Sequence, residues 1–224
     1  VVPDQRILDR FHAGVKYLKP KPSEGWSLQI NQEDNSWADE WGITYHMPPG
    51  GFYYDFASNP LKGKDFAEIK RYRPPDPCDP GRTKGLKEAA QELYNNTDYP
   101  IFIISPVAGV FEWSYFLRGI EELYQDMVIN PEIADYLAGL VEEWTIAFWD
   151  NVLDYIGQYV QVVYTSDDMG HQNGLLFNPK IFRKIYKPRH ARIMQAIKKK
   201  TDAKIFFHSC GAVSELIPDF IEMG

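Results

Sequence analysis

His208 and Cys210 stand two residues apart in the tetrad His208-Ser209-Cys210-Gly211, directly behind the apolar run 203–207. Along an extended chain, residues two apart point the same way, so an imidazole nitrogen and a sulfur share one face at the end of a strand. Both are zinc ligands. The competing reading is that Cys210 packs as a small hydrophobe while His208 serves a backbone carbonyl. A second polar pair, Asp167-Asp168, closes the apolar run 160–166. A carboxylate there either moves protons or caps loop amides. Alternation sends Val160, Val162 and Tyr164 toward covering helices and Gln161, Val163, Thr165 and Asp167 to the inner face, which favours Asp167 as the inward carboxylate. Beside a second acid, Asp168, an inward carboxyl in a desolvated pocket would hold its proton and act as a donor. Both aspartates are therefore candidate catalytic residues.

Gly109, Gly170, His171 and Gln172 lie in the loops that follow two predicted strands and are the expected substrate contacts; glycine there serves a turn or lets a ligand approach the backbone. His190, on a predicted helix after Pro188, is expected at the surface. Cys78 sits between Pro77 and Asp79 with no ligand-spaced neighbour and is left outside the metal site.

These residues need a scaffold that brings separate strand ends together. Residues 1–75 are dense in Pro, Gly and aromatics and read as an irregular β-rich excursion. Within it, Trp37 and Trp41 either line a pocket or form the ribbon's own small core. From residue 76 onward, strands and helices alternate. Helices are predicted over 85–94, 111–127 and 131–157, the last opened by Asn130-Pro131. Its apolar positions Ile133, Leu137, Leu140, Val141, Trp144, Phe148, Val152 and Ile156 keep one face, with Glu142, Glu143 and Asp150 as solvated positions. Strands are predicted over 99–104, 160–166 and 203–207. A helix from Pro179 should kink or be interrupted at Pro188, and a last helix covers 212–223.

Helical crossovers between buried strands imply a parallel sheet with its site at the C-terminal ends of the strands. Three βα units are too few for a closed (β/α)8 barrel, which takes eight strands and typically about 250 residues. The expected fold is therefore α/β: a single partial (β/α)8 TIM barrel belonging to a longer chain at both ends.

Composition narrows the partners. Thirty-one acidic against twenty-four basic side chains give a net charge of -7, which argues against nucleic acid. No uncharged stretch approaches the roughly 20 residues of a membrane span. Two widely spaced cysteines do not make a disulfide scaffold, so a reducing cytoplasm is the expected compartment.

The chain resembles the uroporphyrinogen decarboxylase superfamily, which includes the decarboxylase of haem biosynthesis and cobamide-dependent methyltransferases. The resemblance lies in Ser105-Pro106 through Gly109-Val110-Phe111-Glu112 with Leu117-Arg118-Gly119. It continues in Asp167-Asp168-Met169-Gly170 with Gln172, Gly174 and Phe177-Asn178-Pro179, in Tyr186-Lys187-Pro188-Arg189, and in Phe207-His208-Ser209-Cys210-Gly211 with Ile217-Pro218. It implies zinc held by His208 and Cys210, with a third protein ligand expected beyond residue 224. It also implies a corrinoid supplied by a partner protein and a small methylated or methoxylated substrate. None of the seven arginines from Arg71 to Arg192 sits at a predicted strand end, where a polycarboxylate tetrapyrrole would need them, so methyl transfer is favoured over decarboxylation. The alternatives are uroporphyrinogen decarboxylation and a non-catalytic ligand-binding barrel.

Overall fold

The computed structural model describes residues 4–224. A short helix, α1 (Gln5–Arg10), is capped by Asp4, whose carboxylate accepts from the Arg6 amide, and leads into a three-residue strand, β1 (Lys16–Leu18). The β-rich excursion then forms an antiparallel sheet of β2 (Ser36–Ala38), β3 (Thr44–His46) and β4 (Asp55–Ser58). Trp37 lies opposite Tyr45 and stacks on it at 4.5 Å. Next come α2 (Phe66–Arg71), started by a capping box between Asp65 and Glu68, and α3 (Leu86–Asn96).

The alternating part runs β5 (Ile101–Ile104), α4 (Val110–Arg118), α5 (Ile120–Ile129), α6 (Pro131–Ile156) and β6 (Val162–Ser166). A small hairpin, β7 (Gly170–His171) and β8 (Gly174–Leu175), follows. The chain then continues through α7 (Pro179–Ile181), a π-helical turn (Phe182–Tyr186), α8 (Lys187–Lys200), β9 (Lys204–His208) and α9 (Ile217–Met223). Strands β1, β5, β6 and β9 pair in that order, all parallel, into a four-stranded sheet. This is the partial TIM barrel, with one strand more than the sequence suggested. β1 was missed because three residues offer too little alternation to read.

Three other departures have local causes. The single helix expected over 111–127 is two, parted at Gly119, which takes a positive φ of 86°, and Arg118 before it turns inward. Its Nε donates to Asp126 at 2.8 Å and its Nη1 to the carbonyls of Leu61 at 2.7 Å and Lys64 at 2.9 Å, tying the β-rich segment to the helix layer. Pro188 does interrupt its helix, but through the π turn before it; proline then occupies the first turn of α8, where its missing N–H leaves no bond unmade. Glu142, expected in solvent, is buried between Arg192 and Arg189, with Arg192 Nη2 donating at 2.8 Å.

The core is centred on α6, whose Val141, Phe148, Trp149, Val152 and Ile156 are fully enclosed. Both cysteines are exposed and neither is in a disulfide. No helix among the described residues is long and apolar enough to cross a membrane.

Candidate functional site at the strand ends

Because the four strands are parallel, the chain segments that follow them meet on one edge. On the inner wall of the half barrel, Tyr164 stacks on Phe206 at 5.4 Å and on the His208 ring at 6.4 Å, and Phe102 lies 6.3 Å from Phe206. Val163, Thr165 and Asp167 are buried beneath the helices, and Phe207 packs against His190 and Phe220 on the same side. The phase expected for β6 is therefore inverted. Both faces of a parallel sheet are apolar, so relative hydrophobicity did not tell the helix-covered face from the aromatic-lined inner one.

His208 and Cys210 do share a face: His208 Nε2 lies 3.3 Å from Cys210 Sγ. The carboxylate that joins them is Asp168. Its Oδ1 accepts from the Cys210 backbone amide at 2.7 Å and stands 3.4 Å from His208 Nε2. One ligand atom from each of the three lies within 4.8 Å of the others. The carboxylate beside Cys210 raises the thiol pKa, so the metal-free sulfur keeps its proton. An oxygen, a nitrogen and a sulfur gathered at one point form a donor set suited to zinc, with a fourth position left for another ligand.

The two loops that carry these groups touch through glycine. Gly211 takes a positive φ of 82°, and a Cβ on it would fall 2.2 Å from the Gly170 carbonyl carbon. The Ala212 amide donates to the His171 carbonyl at 2.8 Å. Gly170 thus seats one loop on the other. His171 and Gln172 are exposed at the tip of the hairpin, outside the cluster, and His171 Nδ1 accepts from the Asn173 amide.

Asp167, expected inward, points the other way and is fully buried. Its Oδ2 accepts from the Phe111 amide and its Oδ1 from the Glu112 amide, each at 2.9 Å, at the N-terminus of α4. A carboxylate there satisfies amides that have no partner within the helix and complements the helix dipole. His190 completes the arrangement, with Nε2 2.7 Å from Asp167 Oδ2. It is buried rather than at the surface, because its helix turns that side toward the sheet. Gly109 allows this approach: a Cβ would lie 2.1 Å from the Asp167 Cβ. Gly109 and Asp167 together dock α4 on β6.

Glu112 is the residue that sequence reasoning did not single out. It is buried, and its Oε2 accepts from the Asp168 amide at 2.8 Å. Burial, then the neighbouring Asp167 and Asp168 charges, push its pKa up to about 8. Its place three residues after the helix-capping Gly109 was the available signal, but an acid in a first helical turn is ordinarily read as a dipole partner. The cluster can therefore hold a cation, through Asp168, His208 and Cys210, and a proton, on Glu112.

A family model described as uroporphyrinogen decarboxylase (URO-D) matches residues 37–224. No curated protein sequence matches the chain. Among solved structures, a methyltransferase from Methanosarcina mazei is similar in fold at 13% sequence identity, with a TM-score of 0.63; the match covers 97% of this chain and 58% of that one.

Proposed function

The chain belongs to the uroporphyrinogen decarboxylase family, and from that premise we propose that it is a zinc-assisted, corrinoid-dependent methyltransferase acting on a small methylated or methoxylated compound. The observation that carries this reading is the convergence of Asp168, His208 and Cys210 on one point of the rim. Asp168 would add an oxygen ligand to the pair of His208 and Cys210, alongside the further protein ligand that the family resemblance implies beyond residue 224. Bound zinc would supply Lewis acidity, lowering the pKa of a thiol or polarising a methoxy oxygen. The methyl-carrying cobalt cofactor is expected on a separate corrinoid protein, and the exposure of Cys210 leaves the rim open to it.

The protein's own groups divide the remaining work. Asp168 fixes the loop of Cys210 by accepting its amide, so ligand sulfur and ligand oxygen move together. Glu112, protonated at neutral pH, is positioned as the acid for a departing alkoxide. Asp167 and His190 act as positioning residues: they hold the α4 N-terminus, and with it Glu112, against the end of β6. The tetrapyrrole reading is disfavoured because the buried arginines are committed elsewhere, Arg82 to Glu40 and Arg118 to Asp126.

The test is methyl transfer from methylated donors to a corrinoid protein, with metal content measured in parallel. His208→Ala and Cys210→Ser should abolish both zinc retention and transfer. Conversion of uroporphyrinogen without metal or corrinoid would overturn the proposal.

A further inference from the structure

A cavity of about 280 Å³ opens beyond the ends of β1 and β5. Lys19, which follows β1, and Pro106, which follows β5, line it together with the aromatic residues Trp26, Trp37, Tyr45 and Trp113. We propose that this slot binds a small planar aromatic ring carrying an anionic substituent, with Lys19 at its mouth taking the charge. This rests on the methyl-transfer reading only for the slot's place in turnover; the binding itself does not.

Three observations carry it. Flat indole and phenol walls suit a flat ligand, and the volume is at the small end of ligand pockets, enough for a single ring. The sign of the charge follows from which groups are already committed. Asp39 spends Oδ1 on the amides of Trp41 and Ile43, both at 2.9 Å, and Oδ2 on the Tyr45 hydroxyl at 3.2 Å. Glu40 is held by Arg82, whose Nη2 donates to Oε2 at 2.8 Å. Lys19 is exposed and makes no hydrogen bond or ion pair among the described residues, so the uncommitted charge of the lining is positive. In addition, Trp113, which lines the slot, has its Nε1 buried without an acceptor.

Trp113 of the slot directly follows Glu112 on α4, so one helix carries a wall of the slot and the buried acid beside Asp168.

The experiment is calorimetric titration of the zinc-free protein with benzoate, cyclohexanecarboxylate and benzyltrimethylammonium. Benzoate should saturate, and the non-planar acid should bind about fivefold more weakly, the order expected of lost ring stacking. Lys19→Gln should weaken benzoate about fivefold, the order of a partly exposed ion pair, and Trp26→Leu should weaken it as well. Both sites are solvent-accessible loop positions, and an unchanged far-ultraviolet spectrum checks their fold. His208→Ala should leave benzoate affinity unchanged. Equal binding of the two acids, preference for benzyltrimethylammonium, no saturation by benzoate, or its loss in His208→Ala would each overturn the assignment. Because no metal is present, such a failure leaves the zinc proposal standing, and a failure of zinc binding leaves the slot standing.

Discussion

Asp167 and Asp168, adjacent in sequence, face opposite sides of the sheet: Asp167 is sealed beneath α4 and α8 against His190, and Asp168 stands on the rim against His208 and the Cys210 amide. One carboxylate therefore builds the scaffold while the next is free to take a ligand. Their substitutions should separate cleanly.

Asp167→Asn keeps the shape but removes the charge that faces two helix amides and His190. We expect a loss of about 2–4 kcal/mol in stability, measured by denaturant unfolding. Asp168→Asn should cost less than about 1 kcal/mol in the same assay, since its carboxylate is partly solvated. Equal destabilisation would contradict the division of roles.

Glu112 gives the site a pH signature. Its pKa in the folded protein, about 8, lies above its ordinary value of 4.5, so the folded state binds more protons than the unfolded one between those limits. The ionised carboxylate thus costs stability, and the penalty grows as pH rises from about 4.5 and is fully present above about 8. Glu112→Gln removes it while keeping an acceptor for the Asp168 amide. The variant should melt higher than the parent by roughly 10 °C at pH 8.5, with the gap closing toward pH 5. A pH-independent difference would show that Glu112 is not the titrating group.

Gly211→Ala should open the contact between the two ligand loops, because its Cβ has no space against Gly170 and its φ is positive. About 1–3 kcal/mol of stability should be lost, and zinc affinity should fall by about tenfold or more as Asp168 and Cys210 separate. Parent-like affinity in a folded Gly211→Ala protein would mean that the loop contact does not assemble the site.

Much of this was legible in the residues, and what was not has identifiable causes. The α6 stripe and the pairing of His208 with Cys210 follow from periodicities of 3.6 and 2, which are local properties of the chain. The orientation of β6 could not be read in the same way, since helix-facing Val163 and inward Tyr164 are both apolar. His190 and Glu112 were misjudged or passed over because their environments are made by distant parts of the chain, Asp167 for one and the Asp168 amide for the other. Strand β1 was too short to show a pattern at all.

The central claim is that Asp168, His208 and Cys210 together hold a metal ion, and cobalt(II) substitution tests it most directly. The account predicts a thiolate-to-cobalt charge-transfer band that disappears in Cys210→Ser and His208→Ala and titrates with weaker affinity in Asp168→Asn. A cobalt spectrum with no sulfur band, or one unchanged by Asp168→Asn, would contradict it.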